Sequence, residues 1–459
     1  MKRSLERFDQ RTGAISAFRD FFRKPTPSRG GWLFILGSVA LFLILVQFGT
    51  GVLLALAYAP TPDHARASVW FIEKKMPAGS LVRGLHSWGA SLLLVVAAAH
   101  LFRVLYHGSY KDPRRENWWI GLALLAVLLG FAFTGYLLPW DQKGYWATVV
   151  GVRIAATVPW IGHGIAALLS GGGRVGASAL ARFAAVHFLV LPAAAAALVI
   201  GHLALLRRHG HAGLPGDESP REPFFPNQVF RDAVGIAVVF ALAVSLARFL
   251  PAPLEATADP SDSGYVPRPD WYFLSLFQLL HYFHGRAAVV ATVLIPAAVA
   301  IFLFALPLLD RAPARDPRKR RIWIGAGAAI FAGAALLTAV AVLDEPVSAR
   351  LATAEPPPPP LAFISPDLQN YDPSAFSPTI LRGGKLIATK KCLECHFING
   401  DGNGRGIELK HVSERRTRDW LIAHFRDPQE LVPHSKMPPY DDLPERDLQD
   451  IASYLLALP

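Results

Sequence analysis

Apolar residues fill seven long stretches of the chain, and polar residues are gathered into the segments between them. The stretches run approximately over 32–58, 80–106, 117–138, 180–206, 230–250, 287–309 and 322–343. A hydrocarbon core of about 30 Å takes about 20 helical residues to cross, so each stretch predicts a transmembrane helix. The first thirty residues are different, charged and weakly amphipathic through Leu5, Phe8, Ile15, Phe18 and Phe22. They are expected to lie along the membrane surface, and no short apolar core ahead of a small-residue cleavage site marks a signal peptide. After the seventh stretch come five prolines, Pro356 to Pro360, which favour extended geometry and act as a semi-rigid spacer. Residues 380–459 are polar and mixed in charge, long enough for one small soluble domain.

The expected fold is an all-α polytopic membrane protein with a small α-helical domain at its end. Five segments follow: an interfacial stretch at 1–30, a four-helix domain at 31–214, three further helices at 215–345, a Pro-rich linker at 346–379 and the soluble domain at 380–459. No short internal repeat is visible. A content of 52% hydrophobic and 18% charged residues agrees with a polytopic membrane protein. The net charge of +11 could suggest nucleic acid, but the basic residues sit in short runs beside apolar stretches, where membrane orientation accounts for them. The strongest runs follow the second, fourth and sixth stretches: Lys111, Arg114 and Arg115; Arg207 and Arg208; Arg311, Arg315, Arg318, Lys319, Arg320 and Arg321. All three fall on one side with Arg19, Arg23 and Lys24, so that side is read as cytoplasmic. Seven spans then deliver the soluble domain to the opposite side.

Two cysteines alone, Cys392 and Cys395, exclude an iron–sulfur cluster held by this chain's thiols. With His396 they form Cys392-Leu393-Glu394-Cys395-His396, the C-x-x-C-H attachment signature of a c-type haem. Both thiols add across the haem vinyl groups and the histidine reaches the iron. Met437, within Lys436-Met437-Pro438-Pro439, is the expected sixth ligand, with His434 as its competitor. The segment Glu445 to Leu458 reads as a terminal amphipathic helix near the haem.

His86 and His100 lie fourteen residues apart on the second stretch, and His187 and His202 fifteen apart on the fourth. These steps span about 21–22 Å of helix and return to within about 40° and 60° of the starting face. The helices run in the same direction, so His86 is expected opposite His187 and His100 opposite His202, each pair holding one haem b. A lone membrane histidine would read as a hydrogen-bonded interior group or part of a proton path; four at matched spacing do not. Gly37 and Gly51 on the first stretch, and Gly121 and Gly135 on the third, are again fourteen apart. Glycine lets a flat macrocycle approach the backbone, where a single pair could be ordinary small-residue packing.

Arg83-Gly84-Leu85-His86, Gly135-Tyr136-Leu137-Leu138-Pro139-Trp140-Asp141, Gly144-Tyr145-Trp146-Ala147 and Pro269-Asp270-Trp271-Tyr272 carry a resemblance. The chain resembles cytochrome b of the cytochrome bc quinol reductases in its chloroplast-type version. Residues 1–210 are similar to the four-helix haem subunit, and 215–345 to its three-helix companion, here fused.

The resemblance implies a quinol-oxidation site at the positive side, lined by Pro269, Asp270, Trp271, Tyr272, Tyr145 and Trp146. The family's Pro-Glu-Trp-Tyr reads Pro-Asp-Trp-Tyr here; Asp270 keeps a carboxylate to take the quinol proton with one methylene less reach. Alone, the tetrapeptide would read as a helix cap with aromatic anchors. Arg83 is implied as a haem-propionate partner, with snorkelling to the interface as the alternative. Arg231 and Asp232 match a basic–acidic pair tied to quinone reduction, or form a helix-start charge pair. Chloroplast-type relatives tether an extra haem through a cysteine where this chain has Ile35, so no thioether-bound haem is expected there.

The implied activity is a quinol–cytochrome c reductase reaction. One quinol electron goes to a partner Rieske iron–sulfur protein and on to haem c, the other through the two b haems to quinone at the cytoplasmic side, building a proton gradient. The implied setting is a homodimer in a bacterial cytoplasmic membrane, N-terminus inside, delivering electrons to a soluble cytochrome c or terminal oxidase. Rival readings are a di-haem anchor wiring a dehydrogenase or hydrogenase to the quinone pool, and a haem-based sensor. The quinone species stays open, Asp270 pointing towards menaquinol.

Overall fold

The computed structural model describes residues 2–343 and 377–458, apart from 14–15, 17–24, 173–174, 217–220, 256, 259–264, 266–267, 399–400, 403–406, 408, 410–411 and 434. The proline run, most of the expected linker, the basic residues at 19, 23 and 24, and His434 lie outside the described residues.

Among those described, seven helices are long and apolar enough to cross a membrane, the number expected from the hydropathy pattern. After a short N-terminal helix α1 (Lys2–Thr12), the first span enters through a 3-10 turn at Gly31–Phe34 and continues as α2 (Ile35–Ala55). Helix α3 (Ala65–Lys75) leads to the second span, α4 (Gly79–Tyr106). The third is α5 (Arg115–Leu137). Two shorter helices, α6 (Gln142–Ala156) and α7 (Gly162–Ser170), precede the fourth span, α8 (Ala177–His209). The last three spans are α9 (Val229–Phe249), α11 (Ile295–Leu309) and α12 (Arg321–Leu343), with the short α10 (Leu274–Leu280) between the first two.

Within the membrane unit (residues 1–138, 150–253 and 269–343), α4 packs against α2 and α9, and α5 against α8. Exposed leucines, phenylalanines and valines along the spans are what a lipid-facing surface presents. On the side carrying the basic runs, Asp310 sits buried among Tyr110, Lys111 and Arg320, each at 2.7 Å. Burial alone would raise this carboxyl, but those three hydrogen bonds hold it below the usual carboxylate range. They pin the connection between α11 and α12 to the end of α4.

One local feature was not predicted. Residues Val186–Val190 of α8 form a π-type turn, in which the Leu191 amide donates to the Val186 carbonyl five residues back. The next residue, Pro192, has no amide to donate, and a π turn takes in one extra residue. The fifteen-residue step from His187 to His202 is thereby brought towards the phase of a fourteen-residue one.

The second unit holds residues 139–149, 254–268 and the C-terminal domain. In that domain, α13 (Pro378–Thr389) packs on α17 (Glu445–Leu456), with α14 (Val412–Arg415), α15 (Arg418–Arg426) and α16 (Pro428–Leu431) between them in sequence. Ser377 caps α13 by accepting from the Ile380 amide. The crossing is close because Gly383 lies against the Asp450 carbonyl, where a Cβ would collide. Arg382 clamps the same point through Asp450 at 2.8 Å. Ile380, Ile387, Leu421, Phe425, Leu448, Ile451 and Leu455 form the core.

Candidate haem and quinol sites

In the membrane unit the two pairs of glycines face the four histidines one to one. A Cβ built on Gly51 would lie 3.2 Å from the His86 ring, and one on Gly135 2.8 Å from the His187 ring. On the other side Gly37 stands 3.4 Å from His100 and Gly121 3.5 Å from His202 by the same measure. The imidazoles of His86 and His187 are 6.4 Å apart, centre to centre. Two metal–imidazole bonds of about 2 Å, with about 1 Å from each nitrogen to its ring centre, add up to about 6 Å. The pair is thus spaced for one iron, with glycine backbone beside both rings where a macrocycle would lie. His100 and His202 lie within electrostatic reach of each other.

Two residues that the sequence reading missed complete the first pair. Thr50 Oγ1 lies 2.9 Å from His86 Nδ1, and Thr134 Oγ1 2.8 Å from His187 Nδ1. Each hydroxyl donates its own proton one turn back, Thr50 to the Val46 carbonyl at 2.7 Å and Thr134 to the Gly130 carbonyl at 2.8 Å. Only lone pairs then face the imidazoles, so each Nδ1–H is the donor and each Nε2 is left free for a metal. The signal was the repeated dipeptide, Thr50-Gly51 and Thr134-Gly135.

Arg83, one turn before His86, is 9% exposed and its guanidinium is held by the Glu73 carboxylate and the carbonyls of Ala252 and Pro253. On the opposite side Arg103 lies over the Phe34 ring at 4.5 Å, with its Nε and Nη2 buried and, among the described residues, without a hydrogen-bond partner. Arg231 pairs with Glu222, while Asp232, 8% exposed, accepts from Gln228 at 2.9 Å. Arg231 and Asp232 thus each take a different partner. Ile35 packs at Gly235, with Val39 and Ile236 in the same apolar cluster.

Pro269 and Asp270 lead into a 3-10 turn at Trp271–Phe273. Asp270 occupies the cap position but makes no side-chain cap bond; its Oδ2 instead accepts from the Tyr272 hydroxyl at 2.8 Å. The capping alternative therefore does not describe this side chain. Trp271 Nε1 donates to Ser91 Oγ at 3.2 Å. In the second unit, Asp141 starts α6 by accepting from the Gly144 amide at 2.8 Å. Tyr145 lies 5.7 Å from the Trp140 ring and 5.4 Å from that of Trp146, whose buried indole N–H has no acceptor among the described residues. Asp141 and Tyr265 flank Glu255, whose carboxyl is raised by burial and then by Asp141.

In the C-terminal domain the Cys392–Glu394 turn follows α13. Cys392 is half-buried and Cys395 exposed; burial raises the Cys392 thiol above its ordinary value, partly offset by the Tyr440 hydroxyl. His396 Nδ1 lies 2.9 Å from the Ile407 carbonyl, which requires Nδ1–H and again leaves Nε2 free for iron. Met437 and Cys392 both pack on the domain core.

Replacing Gly135 by valine is expected to remove most of the haem held by His86 and His187 while sparing the other b haem. A Gly130→Ala chain, where the added carbon meets only the flexible Leu191 side chain at 3.4 Å, is expected to keep both. Haem counting in the purified variants checks this.

Comparisons with known proteins agree on the family. The Cytochrome b/b6/petB profile matches residues 21–210, the Cytochrome b(C-terminal)/b6/petD profile residues 257–353, and the Cytochrome c profile residues 380–459. Cytochrome b of Rickettsia bellii is 34% identical over 328 residues, covering 70% of this chain and 81% of that protein. The menaquinol:cytochrome c reductase cytochrome b subunit of Geobacillus thermodenitrificans is 38% identical over 213 residues, 45% of this chain and 95% of that protein. A solved structure described as a hyperthermophilic respiratory Complex III shares the fold, with a TM-score of 0.67 at 24% identity over 76% of this chain and 94% of its own. The chain belongs to the cytochrome b family, with both parts of a cytochrome b and a cytochrome c domain on one polypeptide.

Proposed function

We propose that this chain is the cytochrome b/c subunit of a quinol:cytochrome c oxidoreductase of the bc type. The observation that carries the reading is the one-to-one facing of four membrane histidines by four glycines. The two b haems and the c haem, when bound, supply one-electron carriers, so that one quinol electron crosses the bilayer while the other leaves through a partner Rieske protein to the c domain. His86 with His187, and His100 with His202, are assigned as ligands of the b haems. Cys392 and Cys395 would attach the c haem, and His396 and Met437 would hold its iron. Arg83 and Arg103 are assigned to the propionate ends of the b haems, Arg231 and Asp232 to the cytoplasmic quinone site.

Pro269, Asp270, Trp271 and Tyr272 are assigned to quinol oxidation, and the family resemblance gives Tyr145 and Trp146 the same role. Asp270 accepts a proton from the quinol hydroxyl as electrons leave, and Tyr272 holds its carboxylate by the 2.8 Å hydrogen bond. The proton is released outside, so turnover moves charge across the membrane. The proposed setting is a homodimer in a bacterial cytoplasmic membrane, with the five sequence-defined segments as its domains, the N-terminus inside and the c domain outside. A relative named for menaquinol and the shortened acid at 270 favour menaquinol as the donor; copurified lipids containing ubiquinone alone would exclude it.

Asp270→Asn is expected to lower quinol-dependent reduction of the c haem about a hundredfold, the lower end of what a positioned general base contributes, with haem content unchanged. A stopped-flow assay with a quinol analogue, with and without a quinol-site inhibitor, tests this. Quinol-dependent, inhibitor-sensitive reduction in the parent also separates the reading from a dehydrogenase anchor or a sensor. Asp270→Asn at full rate would remove Asp270 from the proton step.

A further inference from the structure

We infer that Glu73 sets the reduction potential of the b haem assigned to His86 and His187, acting through Arg83; this rests on the haem assignment proposed above. Arg83 is the buried cation one turn from His86 on α4. Two backbone carbonyls, of Ala252 and Pro253, already orient its guanidinium. Glu73, near the end of α3, adds a full negative charge to the same group, with both side chains only 11% exposed. Lys74, at 3.0 Å from the Glu73 carboxylate but 57% exposed, is largely screened by solvent and compensates little.

The electrostatic consequence has a definite sign. Uptake of one electron adds one negative charge to a haem, and a buried cation nearby stabilises that reduced form. An ion pair in place of the cation changes the local charge from positive to neutral and withdraws most of that stabilisation. Glu73 therefore holds this haem at a lower potential than Arg83 with its carbonyl partners alone would give. The direction serves an inward relay, because an electron moves spontaneously from the carrier of lower potential to that of higher potential. A cavity of 210 Å³, bordered by Glu73, Lys74, Ser80, Arg83 and Arg248, has room for water and tempers the field. With an effective dielectric near 20, a charge roughly 10 Å away changes the reduction equilibrium about tenfold, which is 59 mV for a one-electron couple.

The test is a spectroelectrochemical titration of the b-haem bands in the full chain extracted from membranes, comparing the parent with Glu73→Gln and Glu73→Asp. The expected result is an upward shift of about tenfold in Glu73→Gln. The shift is confined to the b haem that a His187→Ala chain lacks, with the other b haem and the c haem unmoved. Glu73→Asp keeps the charge and is expected to stay near the parent. Intact haem content with unchanged potentials in Glu73→Gln would overturn the inference. So would a shift in the other b haem, or Glu73→Asp behaving like Glu73→Gln. A parent chain with fewer than two b haems would instead overturn the haem assignment beneath it.

Discussion

A His187→Ala chain is expected to purify with one b haem instead of two and to lose quinol-driven electron flow into the remaining one by more than a hundredfold. Loss of an outer-shell partner of a metal ligand costs about 10–100-fold in affinity or activity, and loss of the ligand itself exceeds that. Among the described residues the site offers no substitute: the ring is met by Gly135, by the Thr134 hydroxyl already donating to Gly130, by Phe131 at 5.3 Å and by Phe188 at 5.7 Å. None of these can bind iron. The effect should be local, because His202 lies beyond the π turn on the same helix, facing Gly121. His202→Ala should remove the other haem and leave the first. Low-temperature visible spectra of the two variants would show complementary losses; loss of both haems from either would make the sites one cooperative unit and break the pairing.

Replacement of Cys392 by serine is expected to abolish covalent haem in the chain while leaving both b haems in place. Two thioether links are assigned to Cys392 and Cys395, and Cys392 is the one packed on the core of its domain. Serine keeps the size of the side chain but cannot form the thioether. Cys395, exposed and outside the core of its domain, is not expected to anchor the haem alone, although His396 stays oriented by the Ile407 carbonyl. Haem staining of a denaturing gel, with intact-mass measurement, distinguishes a chain carrying a covalent haem from one without. The membrane unit packs its own apolar clusters, which is the reason to expect the b haems unaffected. A variant that still carries covalent haem at parental level would show that attachment does not need Cys392.

Much of this arrangement was legible in the sequence because its information is periodic. Histidines and glycines fourteen or fifteen residues apart repeat the same helical phase, and the seven apolar stretches match the seven spans. What escaped depends on contacts whose partners are far apart in sequence or on small departures from ideal helix. The fifteen-residue step on α8 looked about 60° out of phase until the π turn ahead of Pro192 took up a residue. Thr50 and Thr134 stand out in the sequence only through the repeated Thr-Gly dipeptide, and their pairing with His86 and His187 across helices gives them a role. The Glu73 partner of Arg83 and the Glu222 partner of Arg231 belong to connecting segments, whose course hydropathy does not define. The tetrapeptide Pro269–Tyr272 offers Asp270 as a quinol proton acceptor or as a helix cap, and only the fold shows its carboxylate bonded to Tyr272 rather than to the helix end.

The measurement that tests the central claim most directly is pyridine haemochrome quantification, with a redox-resolved visible spectrum, on the purified chain. Two b haems and one c haem per chain are predicted, because four histidines on two helices face four glycines and one C-x-x-C-H motif is present. A second covalent haem would contradict the reading of Ile35, and fewer than two b haems would contradict the pairing of the histidines and the transmembrane electron path built on it.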